Sequence, residues 1–103
     1  MGTVHQIRPG VEVGMWCDAE DGRYITEATA ELPSGTISVS LEVEAVSKNL
    51  WWWTIGEWDD LIDDDVIVRS GYAPSLAKAR ELAEAGAAAV LDDAVRYCAT
   101  RAA

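Results

Sequence analysis

Along residues 37–46, apolar and polar side chains alternate almost without error: Ile37, Val39, Leu41 and Val43 fall on one row, Ser38, Ser40, Glu42 and Glu44 on the other. A period of two places the rows on opposite faces of a β-strand, the first toward a core and the second toward water. A looser alternation in residues 11–17 predicts a first strand with Val11, Val13, Met15 and Cys17 as its core row and Trp16 on its polar row. Residues 24–32 read as a second strand, residues 50–58 as a tryptophan-rich one and residues 66–70 as the last. Turn chemistry separates them: Asp18-Ala19-Glu20-Asp21-Gly22, Pro33-Ser34-Gly35 and Ser47-Lys48-Asn49, with an acidic loop over residues 59–65.

From Ser75 onward the period changes. Ser75 is placed to cap a first helical turn after Pro74, and Leu76, Ala79, Ala83, Ala87, Val90, Ala94, Tyr97 and Cys98 fall on one stripe at helical spacing. The small residues Ala79, Ala83, Gly86 and Ala87 let such a helix lie close to a sheet, and close packing gives a reason for a mid-helix glycine that costs up to ~1 kcal/mol relative to alanine. The chain therefore reads as one α+β domain over residues 1–103: an antiparallel β-meander of four or five strands with one long C-terminal α-helix packed on one face. Residues 1–9 read as a loose N-terminal segment.

Three consecutive tryptophans, Trp51-Trp52-Trp53, cannot share one face of a strand. Turning Trp51, Trp53 and Ile55 inward buries the greater apolar bulk and leaves Trp52, Thr54 and Gly56 on the helix-free face. That face also receives Ser38, Ser40, Glu42 and Glu44, with Glu27, Glu31 and Arg69 further out, and Trp16 by its own alternation. An indole among carboxylates suits an arginine or lysine of a partner through cation–π attraction and charge-assisted hydrogen bonds. The same arrangement also serves to shield cross-strand neighbours, or to join two copies face to face. The candidate partner-binding set is Trp52, Glu42, Glu44, Trp16 and Thr54, with Asp59, Asp60, Asp63, Asp64 and Asp65 steering a basic partner.

Composition adds the sign of the partner. Eighteen acidic residues against eight basic ones give a formal net charge of -10, a field that repels nucleic-acid phosphates and anionic lipid and attracts basic proteins. No direct nucleic-acid or membrane contact is expected, and the start of the chain lacks the basic-then-apolar layout of a signal peptide, which points to the cytoplasm. His5 is the only histidine and offers no base for a nucleophilic triad. Cys17 and Cys98 read as reduced, buried thiols. Neither the acidic loop nor residues 18–22 have the ligand spacing of a calcium loop, and no phosphate-binding glycine motif is present. No enzyme activity, cofactor or metal is expected.

The run Trp51-Trp52-Trp53-Thr54-Ile55, followed by Val66-Ile67-Val68-Arg69-Ser70-Gly71-Tyr72-Ala73-Pro74-Ser75-Leu76-Ala77-Lys78-Ala79, resembles a layout found in small uncharacterised proteins of actinobacteria and their phages. The resemblance covers about half of the chain and carries over no site residue. It implies an accessory protein that binds a basic host protein in the host cytoplasm. A structural homodimer and an inhibitor that imitates DNA are the alternatives, the latter requiring carboxylates at phosphate-like spacing.

Overall fold

A computed structural model describes residues 5–8 and 10–102. Among them are seven strands and one helix: β1 (His5–Arg8), β2 (Val11–Val13), β3 (Cys17–Asp18), β4 (Arg23–Leu32), β5 (Gly35–Ser47), β6 (Leu50–Asp59), β7 (Asp64–Ala73) and α1 (Leu76–Ala102). The strands lie in the order β1-β2-β4-β5-β6-β7, with β3 also paired to β4, and every pairing is antiparallel. Helix α1 packs on one face. The fold is the expected α+β meander with a C-terminal helix, with more strands than the periodicity indicated.

The extra strands come from two places. His5–Arg8 pairs with β2 across a turn at Gly10, whose φ of 83° suits glycine, so this part of the N-terminal segment belongs to the sheet; residues 1–4 and 9 lie outside the described residues. The expected first strand is broken into β2 and β3. Val13 pairs with Ala28 and Cys17 with Ile25, so four steps on one side match three on the other. One inserted residue reverses the alternation. Met15 and Cys17, expected in the core, are consequently exposed, while Trp16 turns to the helix side. The Cys17 thiol is free, but exposed rather than buried; the side chain of Cys98 lies outside the described residues.

The hairpins follow their turn residues. Leu32 pairs with Gly35 around Pro33-Ser34, and Ser47 with Leu50 around Lys48-Asn49, after a bulge at Val46 that leaves this valine exposed. Residues 59–65, expected as a loop, form instead the end of a long hairpin: Asp59 pairs with Asp64, and only residues 60–63 make the turn. The reason is local. Asp59 Oδ1 accepts from the Leu61 amide at 2.9 Å, and Asp63 takes the left-handed conformation (φ 54°) that closes a short connection.

Between sheet and helix sits the core. Val39, Leu41 and Val43 of β5, Ala28 and Ala30 of β4 and Ile55 of β6 meet Ala79, Ala83, Ala87 and Leu91 of α1, all fully or almost fully buried. Each Val, Leu or Ile so buried contributes roughly 1.5–3 kcal/mol. The Ser75 hydroxyl accepts from the Lys78 amide at 3.1 Å, as the cap position requires. At Gly86 helix and sheet come close: a Cβ there would lie 2.6 Å from Ile55 Cδ1 and 3.4 Å from the Trp53 ring. Gly71 is as constrained, since its Cβ would meet three Trp53 indole atoms at 2.8–2.9 Å.

At the β3–β4 end, Trp16 clamps the helix to the sheet. Its Nε1 donates to Glu84 Oε2 at 2.9 Å, and the Arg80 guanidinium lies 5.6 Å from the Trp16 ring centre and 4.9 Å from that of Tyr24. Cation–π contacts of this kind contribute ~0.5–2 kcal/mol.

Two stability predictions follow from these contacts and are measured by urea unfolding. Gly71→Ala drives a Cβ into a rigid ring and loses about 2–3 kcal/mol, whereas Gly86→Ala meets the movable end of Ile55, regains helix propensity and loses less than half as much; equal stability of Gly71→Ala and wild type contradicts the close approach. Trp16→Ala loses about 2–3 kcal/mol and Trp16→Phe about 1 kcal/mol, losses that a tryptophan on the bare sheet face would not produce.

Candidate interaction face

With Trp51 and Trp53 packed against the core and Ile55 fully buried, strand alternation sets Trp52, Thr54 and Gly56 on the helix-free face. That face is concave. It holds a groove of about 810 Å³ whose floor is made by the short residues Ser40, Thr54 and Gly56. Gly56 keeps the floor low, because a Cβ would stand 3.0 Å from Ser40 Oγ and 3.4 Å from Asp65 Cβ. Met15, Cys17 and Ile25 form one wall, Trp52 and Ile67 the other. Apolar walls over a small polar floor are the usual composition of a ligand-taking surface.

Trp52 is held by its cross-strand neighbours. Its ring centre lies 4.7 Å from that of Tyr72, directly opposite on β7, with the planes tilted by 55°. Such a pair contributes roughly 0.5–1.5 kcal/mol beyond its burial. On the other side Trp52 faces Glu44 on β5. The indole thus has a fixed position, half-buried, between an exposed phenol and a carboxylate.

Glu42 is not a waiting carboxylate. Arg23 reaches it from β4 with two hydrogen bonds, at 3.0 Å from the terminal nitrogen and 3.4 Å from Nε. The hydrogen bond to Glu42, then its charge, holds the guanidinium pKa above its ordinary value. Glu27 and Asp65 are the other acids lining the groove, against Arg23 as its one base. The lining is therefore acidic by two charges, and a bound cation meets Glu27 and Asp65 before it can compete for Glu42.

The expected site residues separate into three groups. Trp52, Thr54, Glu42 and Asp65 line the groove, with Glu44 beside Trp52. Asp59, Asp60, Asp63 and Asp64 lie at the end of the β6–β7 hairpin rather than around the groove. Trp16 is on the opposite face, hydrogen-bonded to the helix, and takes no part. Arg69, expected with the open face, stands opposite Ile55 and so shares the helix-bearing face: β7 carries an extra residue at Val68, which reverses its alternation. Met15, Cys17, Arg23, Ile25, Ile67 and Tyr72 were not among the expected groove residues. For Met15 and Cys17 the only signal was Gly14 in the middle of an alternating run, a common mark of a bulge.

Chemically, the groove offers contact surface and negative charge. The Cys17 thiol donates to the Met15 carbonyl at 3.5 Å. Among the described residues no three His, Cys, Asp or Glu side chains converge to hold a metal ion, and no helix is long and apolar enough to cross a membrane. Compared with known proteins, the chain matches no family model, no curated sequence and no solved structure.

Proposed function

We propose that this protein is a non-enzymatic, acidic interaction module that takes a basic segment of a partner protein into the groove of its bare sheet face. The observation that supports it best is the groove itself: apolar walls, a floor kept low by Gly56, and an acidic lining around a fixed tryptophan. A tryptophan held half-exposed between a tyrosine and a carboxylate resembles the aromatic anchors that dominate binding interfaces. A lysine or arginine laid on its face gains cation–π attraction while Glu44 completes the pairing. The net charge of -10 draws such a partner from a distance and repels nucleic acid. The setting that accompanies this reading is a phage or actinobacterial cytoplasm, with a basic host protein as the partner.

The test is a titration with a synthetic amphipathic helical peptide of leucine and lysine, and with its leucine–glutamate counterpart, followed by tryptophan fluorescence. The lysine peptide is expected to bind in the micromolar range, with a binding phase that disappears on Trp52→Ala and weakens at least tenfold on Glu27→Lys, and to lose affinity between 50 and 500 mM salt. Equal binding of the two peptides contradicts the proposal, as does indifference to Trp52. A concentration-dependent dimer in sedimentation that Trp52→Ala dissolves assigns the face to a second copy instead.

A further inference from the structure

The β6–β7 hairpin runs on past the part of the sheet that α1 covers. Residues 57–68 comprise six acidic and six apolar side chains and no base. None of the six apolar residues is buried: Trp58 is 58% exposed, Leu61 95%, Ile62 60% and Ile67 59%, with Val66 and Val68 near 40%. Scattered exposed leucines are ordinary, but half of a continuous arm left apolar and uncovered is not. Turns favour Gly, Asn, Pro and Ser, and this one places Leu61 and Ile62 at its tip.

The arm is built rather than loose. Trp58 Nε1 donates to Asp60 Oδ1 at 2.8 Å, which pins the indole beside the turn. The Leu61 amide donates to Asp59 and the Asp65 amide to Asp64. Three of the acids therefore hold the turn in the shape that thrusts Leu61 outward.

We infer that this arm is a second docking surface, adjoining the groove at Asp65 and Ile67 but centred on Trp58, Leu61, Val66 and Val68, and that its occupant is an amphipathic basic helix of another protein. Such a helix presents an apolar stripe flanked by lysine and arginine, complementary to the hollow lined by Trp58, Leu61, Val66 and Val68 and rimmed by Glu57, Asp59 and Asp60. A second copy of this chain fits poorly, because pairing two arms sets six acids against six within a Debye length. Edge-to-edge pairing along β7 is also opposed by the bulge at Val68 and by the acids at the start of the strand.

The test uses the same leucine–lysine peptide, now carrying a diazirine in place of one leucine. Photo-crosslinked adducts, located by mass spectrometry, are expected on residues 57–62, 66 and 68, and Leu61→Ser/Ile62→Ser, at positions too exposed to affect folding, is expected to reduce that labelling at least tenfold while Trp52→Ala leaves it unchanged. Adducts confined to Met15, Ile25 or Trp52 overturn the inference and leave the groove reading standing; adducts on the arm alone do the reverse. Equal arm labelling by the leucine–glutamate peptide, a dimer in sedimentation that Leu61→Ser/Ile62→Ser dissolves, or binding of the arm to neutral phosphatidylcholine vesicles would each overturn it.

Discussion

Everything in this structure depends on how closely one helix can approach one sheet. The contact is made by Ala79, Ala83, Gly86 and Ala87, which bring almost no bulk of their own, so the volume between the layers is filled from the sheet side by Leu41, Val43, Ile55 and the indoles of Trp51 and Trp53. A thin helix face and a thick sheet face are complementary, and Gly71 completes the fit by making room for Trp53 within the sheet. The arrangement costs something: Trp53 Nε1 is buried without a hydrogen-bond partner among the described residues, a penalty of roughly 1–3 kcal/mol that the surrounding close packing offsets. It also sets a limit, because a single helix can cover only part of one face. What it leaves bare is the whole opposite face and the far end of the β6–β7 hairpin, where most of the exposed apolar side chains stand.

How far this could be read in advance depended on whether the strand period was interrupted. Residues 37–46 alternate cleanly, and their core row is the observed one; the same logic placed Trp52 correctly, because Trp51, Trp53 and Ile55 together outweigh it in apolar bulk. The serine cap and the alanine stripe of α1 were legible for the same reason, each being a local pattern with a local cause. The two misplaced side chains of the candidate face, Trp16 and Arg69, both lie beyond an inserted residue, between Val13 and Cys17 in one case and at Val68 in the other. A bulge changes no composition and reverses every side chain after it, so a reading based on alternation carries the error to the end of the strand. Gly14 marked the first bulge; at Val68, inside Val-Ile-Val, nothing marked the second.

The excess of negative charge divides into working parts in the same way. Asp59, Asp60 and Asp64 fold back onto their own turn, and Glu42 and Glu84 are engaged by Arg23 and Trp16. A carboxylate keeps its charge when it accepts an amide or indole hydrogen, so along the groove and the arm the field comes from Glu27, Glu44 and all six acids of residues 57–68, spread over a long surface rather than gathered at one ion-sized point. Such a field shapes approach and orientation over a span of many residues, and it weakens with salt as a whole.

Because α1 follows every strand in chain order, the molecule cannot cover its own core until synthesis has passed the sheet. At ~5–20 residues per second, the 27 residues of α1 take roughly 1–5 s to add, while hairpins close in ~1–10 μs. Val39, Leu41, Val43 and Ile55 can therefore lie side by side in water for a time about a million-fold longer than one hairpin takes to close. A nascent chain in that state exposes its future core row while still tethered, and the core closes only when α1 docks.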